Sequence, residues 1–191
     1  PRPESEKEGF GNGDQEPYDP PAERPRKIII RLADGKERTI QSMMATTFWS
    51  SDGRPISAVQ FVEKLFGELP QFFKNEDELR RIWSRPDTRK ALLQSLGEKG
   101  FGGEQLAEIS RMINAEKSDL FDVLAYIAFA LAPITRSERV EARKGNIFSR
   151  YDARLQMFLD FVLTQYVRQG VGELDQEKLT SLLVLKYHSV P

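Results

Sequence analysis

The chain has 191 residues, 39% of them apolar and 30% charged, which fits one medium-sized globular unit. Lysine and arginine number 28 against 29 acids, and a net charge of -1 excludes a global pull toward nucleic acid or anionic lipid. There is no cysteine, which excludes disulfides, thiolate zinc sites and a cysteine nucleophile, and a single histidine, His188, excludes a paired-histidine zinc site.

Residues 1–26 are rich in Pro, Gly and acids and hold almost no aliphatic side chains, so they read as a flexible linker or tail without a signal core. The chain starts without Met inside this stretch, which points to a piece of something longer. In KIIIRLADGKERTIQ two β-rich runs flank Asp34-Gly35, a pair that supplies the positive φ angles of a tight hairpin turn. MMATTFW, residues 43–49, adds a third short strand, and residues 27–50 form a small β-ribbon element.

From there to residue 191 the pattern is helical. In SAVQFVEKLFGEL the residues Val59, Phe61, Val62, Leu65 and Phe66 share a face, and Ser57 and Gln60 are spaced as a capping box. Asn75 and Glu78 repeat that spacing before DELRRIWS. SRPDTRKALLQSLGEKG runs to a stop at Gly100. Its Pro86-Asp87 pair is reminiscent of the PD…(D/E)xK metal nucleases, whose two carboxylates converge from strand ends. No strand with that triplet follows, and Ser84 with Asp87 reads instead as a capping box with Pro86 in the first turn.

Further helices follow in EQLAEISRMINA, SDLFDVLAYIAFALA, TRSERVEARKGNIF, DARLQMFLDFVLTQYVRQG and DQEKLTSLLVLKY, divided by Gly103, Ser118 and Pro133. The apolar run 120–134 is broken by Asp122 and is too short for a bilayer, which takes about 20 residues. The fold class is mainly α, six to eight helices over residues 55–191 behind an N-terminal β-hairpin.

No phosphate loop, catalytic triad or metal-ligand spacing is present; Asp119, Asp122, Asp160, Glu173 and Asp175 read as caps and surface. No catalytic, cofactor or metal residue is assigned. Arg139, Arg143, Arg150 and Arg154, with Phe148 and Tyr151 among them, offer either a DNA contact or a salt-bridged face with the aromatics in a core seam. Arg80, Arg81, Arg85, Arg89 and Lys90 form a second basic cluster beside Trp83, a core anchor by its size. Phe158, Leu163, Val167, Val171, Leu179, Leu182 and Leu183 on the last two helices belong either to the core or to a partner interface.

Three blocks, DELRRIWSRPDTRKALLQSLGEKGF, EKSDLFDVLAYIAFALAPITRSER and MFLDFVLTQYVRQGVGELDQEKLTSLLVLKYHSV, resemble in order and spacing the C-terminal region of the R (restriction) subunit of type I restriction enzymes, EcoEI-like group. The resemblance spans residues 27–190. It implies a cytoplasmic parent with a nuclease domain and an ATP- and magnesium-dependent DNA-translocating motor upstream. It also implies that the helical C-terminal region docks the R subunit on the methyltransferase core of M and S subunits, DNA being met through the parent complex. Guidance of duplex DNA by the basic segments is the alternative. Family members continue past LKYHSV into another helical segment, whereas this sequence ends at Pro191.

Overall fold

The structure, a computed structural model, describes residues 26–42, 48–49 and 53–187. It is a helical bundle with two short β-ribbons at its amino end. β1 (Arg26–Arg31) and β2 (Glu37–Ser42) pair antiparallel with Ile28 opposite Ile40 and Arg31 opposite Glu37. The connecting turn differs from the expected form. Gly35, at φ 74°, is the only residue of the turn with positive φ, and its N–H donates to Leu32 O at 2.9 Å. This is a three-residue loop with one left-handed glycine rather than a two-residue turn with two positive φ angles. Asp34 Oδ1 accepts the Lys36 N–H at 3.0 Å and closes the loop. Of the third strand expected over residues 43–49, residues 43–47 lie outside the described residues; β3 (Phe48–Trp49) pairs with β4 (Pro55–Ile56) in a separate sheet.

α1 (Ala58–Glu68) starts at the expected Ser57–Gln60 capping box, with both reciprocal bonds formed. A 3₁₀ turn, Leu69–Gln71, leads to α2 (Glu76–Trp83), where Asn75 accepts the Glu78 N–H at 2.9 Å. Glu78 reaches one residue further back than a capping box requires, to the Lys74 N–H at 2.7 Å. α3 (Pro86–Glu98) places Pro86 at its first position and Asp87 in its first turn, where its carboxylate faces the positive helix end. The cap itself is shifted by one residue from the expected place. Arg85 holds the N-cap position and makes no side-chain cap bond, while Ser84 closes α2 and donates to Arg81 O at 2.9 Å.

α3 ends in a Schellman turn. Gly100 takes φ 89°, its N–H donates to Gly97 O at 3.0 Å, and the Phe101 N–H donates to Leu96 O at 2.8 Å. Phe101 and Leu96 are both buried, giving the turn its apolar contact. α4 (Gly103–Met112) ends the same way with Asn114 at φ 56°. α5 (Leu120–Phe129) is the central helix, buried on nearly every side, and it stops at Ala130, short of the expected Pro133, with Ala130 left-handed at φ 60°. α6 (Arg136–Phe148), α7 (Ala153–Gln169), a 3₁₀ turn Val171–Leu174 and α8 (Gln176–Tyr187) follow.

Two apolar clusters organise these elements. The larger joins Ile30, Leu32, Ile40 and Phe48 of the ribbons to the inner faces of α1–α5, so the ribbon is continuous with the helical core. Phe48 stacks on Phe61 at 4.3 Å between ring centroids, and Phe61 meets Phe101 edge-on at 5.2 Å. Trp83 is buried in this cluster, as its size predicts. The smaller cluster is Phe158, Val162 and Leu182, with Phe161, Leu179 and Leu183 packed around them. It gives α7 and α8 a core of their own.

Candidate functional site

A set of polar contacts, beside Val171 packed on the larger core, joins the α6–α8 layer to the α1–α5 body. Arg136, in the first turn of α6, donates from Nε to Val167 O at 3.0 Å and from Nη1 to Ser118 O at 2.5 Å. Arg139 Nη2 donates to both oxygens of Asp122, at 2.7 and 2.8 Å. The Tyr166 hydroxyl donates to Asp119 Oδ2 at 2.7 Å. Arg89 on α3 clasps both oxygens of Asp175 at 2.5 and 2.7 Å, tying the start of α8 to the body. A hydrogen bond between two charged groups is shorter and stronger than a neutral one, so each pair is a firm tie across the joint.

Asp119 and Asp122 form the capping box of α5, as the reading of them as caps expects, but they and Arg89 are buried rather than at the surface. Burial raises the Asp119 carboxyl above its ordinary value, against the opposing pull of the Tyr166 hydroxyl and of Arg139 and Arg136. The Tyr166 hydroxyl is held far above the ordinary tyrosine range, first by burial and then by its bond to Asp119.

The basic segment divides. Arg139 turns inward to Asp122, and Lys144 is paired with Asp160 at 2.6 Å. Arg143, Arg150 and Arg154 are exposed, Arg150 donating to Asn146 Oδ1 at 3.3 Å. Phe148 is half-buried under Lys144, but Tyr151 is exposed, outside the seam expected for it. Of the second cluster, Arg89 is fully engaged, Arg80 pairs with Glu76, and Arg85 pairs with Asp87 at 3.1 Å.

The seven residues that sequence offered as core or interface divide by burial. Phe158 and Leu182 are buried, and Leu163, Val167, Val171, Leu179 and Leu183 are half-buried. Other apolar side chains of α7 and α8 are exposed: Leu185 (64%), Met157 (58%), Val184 (43%) and Leu155 (38%). They occupy the outer face of the same helices, one step around from the seam, where the i, i+3, i+4 spacing stops distinguishing core from surface.

A cleft of about 260 Å³ opens between α2, α6, α7 and the turn after α7, with Trp83, Phe121, Val140, Ile147, Leu163 and Leu174 among its lining. Arg80, Arg139 and Arg143 also line it. Among the described residues, no group of three or more His, Asp or Glu is placed to hold a metal ion. No helix of the described residues is long and apolar enough to cross a membrane.

A family model described as EcoEI R protein C-terminal matches residues 59–190. The chain is 29% identical over 136 residues to the type I restriction enzyme EcoAI endonuclease subunit of Escherichia coli, a match covering 71% of this chain. The matched stretch is 16% of that relative's length. No solved structure matches.

Proposed function

The chain belongs to the EcoEI R protein C-terminal family, and on that premise we propose that it is the assembly module of a type I restriction enzyme R subunit. In this reading it docks the motor and nuclease portions on the methyltransferase core of M and S subunits. It does no chemistry itself, and ATP and magnesium serve the motor elsewhere in the longer subunit.

The observation that carries the proposal is the apolar outer face of the α7–α8 hairpin. Leu185, Met157 and Val184 stand exposed on helices that already have a core of their own, so covering them adds nothing to internal packing. Exposed apolar side chains of this kind mark surfaces that associate. Leu185→Asp with Met157→Asp in the full R subunit is expected to weaken binding to purified M and S subunits by about tenfold or more. Normal assembly by an R subunit lacking residues 57–191 sinks the proposal.

A DNA-guiding role draws on the exposure of Arg143, Arg150 and Arg154 at the α6–α7 junction. It calls for a DNA affinity that falls steeply with salt, and whose salt slope drops when these residues become Ala. With Arg139 committed to Asp122, that reading has one cation fewer than sequence offered it.

A further inference from the structure

A second cleft, of about 660 Å³, lies between the β3–β4 ribbon, α1 and the turn that ends α3. Trp49 stands on its rim and is 58% exposed, although tryptophan is highly buried on average. The buried rings of Phe61 and Phe101 and the half-buried Ile56 continue the apolar wall, and Gly67 adds no side chain to it. Of the charged groups along the cleft, Lys99 pairs with Glu68, and Glu98 accepts from Gln94 at 3.1 Å. Lys64, exposed on α1, is left as the cation with no partner among the described residues.

We infer that this cleft receives the proline-rich segment that precedes β1 in the same chain, DQEPYDPPAERP, residues 14–25. Pro17, Pro20, Pro21 and Pro25 each hold φ near the polyproline II value. Their missing N–H groups unfit the segment for pairing along the outer edge of β1. Aromatic-lined grooves are the usual seat of such a chain, because it arrives with little conformational freedom to lose. Charge agrees: residues 1–25 hold seven acids against three bases, while the rest of the chain holds 25 bases against 22 acids. Glu16 and Asp19, beside the prolines, are the acids that Lys64 lacks. The reach is also sufficient. Arg26 lies opposite Ser42, so chain connectivity keeps the start of β1 within about 30 Å of Trp49. Pro17, Pro20 and Pro21 lie five to nine residues before Arg26, or about 15–28 Å of polyproline II chain. Tethering gives the segment an effective concentration of order millimolar, so even a weak contact is occupied. The contact is independent of the docking role proposed above; it gives the chain before β1 a defined path onto the body.

Trp49 is its own probe. The chain has two tryptophans, and Trp83 is buried, so acrylamide quenching of the full chain reports on Trp49, with Trp49→Phe supplying the Trp83 background. Pro20→Gly with Pro21→Gly is expected to release the segment and raise the Trp49 quenching constant about threefold. Lys64→Glu, on an exposed helix face, repels the acids and is expected to raise it about twofold. Equal quenching in the parent and the double-glycine chain overturns the inference. That variant leaves residues 26–191 unchanged, so a failure to fold cannot hide the result. Shielding of Trp49 that is lost when the parent chain is diluted assigns the cleft to the segment of a second copy and also overturns it. No M or S subunit enters the measurement, so its outcome and that of the assembly test are separate.

Discussion

At the scale of single residues, Arg38 is the side chain whose role no spacing rule announces. It lies on a short β-strand amid charges, yet it is 0% exposed. Its Nε donates to Tyr126 O at 2.7 Å, its Nη2 to Ile127 O at 2.9 Å, and Asp34 pairs with the same Nη2 at 2.9 Å. A cation thus sits on carbonyls of the last turn of α5, giving Ile127 O a donor beside Tyr126 O, which also takes the Ala130 N–H, and opposing the negative end of the helix dipole. Tyr126 returns the grip, donating to Thr39 O and accepting from Thr39 N. Arg38→Ala leaves the Ile127 carbonyl without its donor and empties a buried site, so a loss of about 1–3 kcal/mol is expected in urea unfolding. Asp119 makes a second residue-scale prediction. Its folded-state pKa lies above its ordinary 3.8, so the native state holds its proton longer than the unfolded chain does. The stability this proton brings is complete below 3.8 and is lost as pH rises toward the folded value. Asp119→Asn, which keeps an acceptor for Tyr166, is expected to flatten that part of the curve when melting temperature is followed from acid to neutral pH.

At the scale of elements, most helix starts were legible because a cap is a local device: Ser57 with Gln60 and Asn75 with Glu78 act within four residues. The start of α3 shows the limit. Ser84-x-x-Asp87 has the right letters, but Pro86 disfavours a helical residue before it, so Arg85 extends and becomes the cap. The Ser84 hydroxyl is left to finish α2. Arg85→Ser puts an acceptor where the structure has none and is expected to stabilise the chain by about 0.5–1 kcal/mol, whereas Ser84→Ala changes little. A chemical-denaturation series on the two variants distinguishes the two cap positions, and a large loss in Ser84→Ala argues for the cap the sequence spelled out. The division of α7 and α8 into core and exposed faces was less legible. Leucine and valine occur on both sides of those helices, so composition could not separate Leu182, buried, from Leu185, exposed.

At the scale of the whole molecule, fold class and helix count were readable from periodicity, but the joint between the layers was not. Arg89 and Asp175 are 86 positions apart, and Tyr166 and Asp119 are 47 apart; no window on the sequence contains either pair. The cleft is a product of the same joint and was equally hidden. Asp175→Ala leaves the buried Arg89 uncompensated and is expected to cost about 3 kcal/mol, with amide exchange rising first in α8. Uniform exchange across α1–α8 argues against the joint as the weakest plane. Its charged character also has a calorimetric consequence. Heat capacity rises when apolar surface meets water and falls when polar surface does. A joint rich in Arg136, Arg139, Asp119, Asp122 and Tyr166 therefore opens with a smaller heat-capacity change than the Phe48–Phe61–Phe101 core. In a scanning thermogram of the Asp175→Ala chain, a first step with a small baseline rise should precede a second with a larger one.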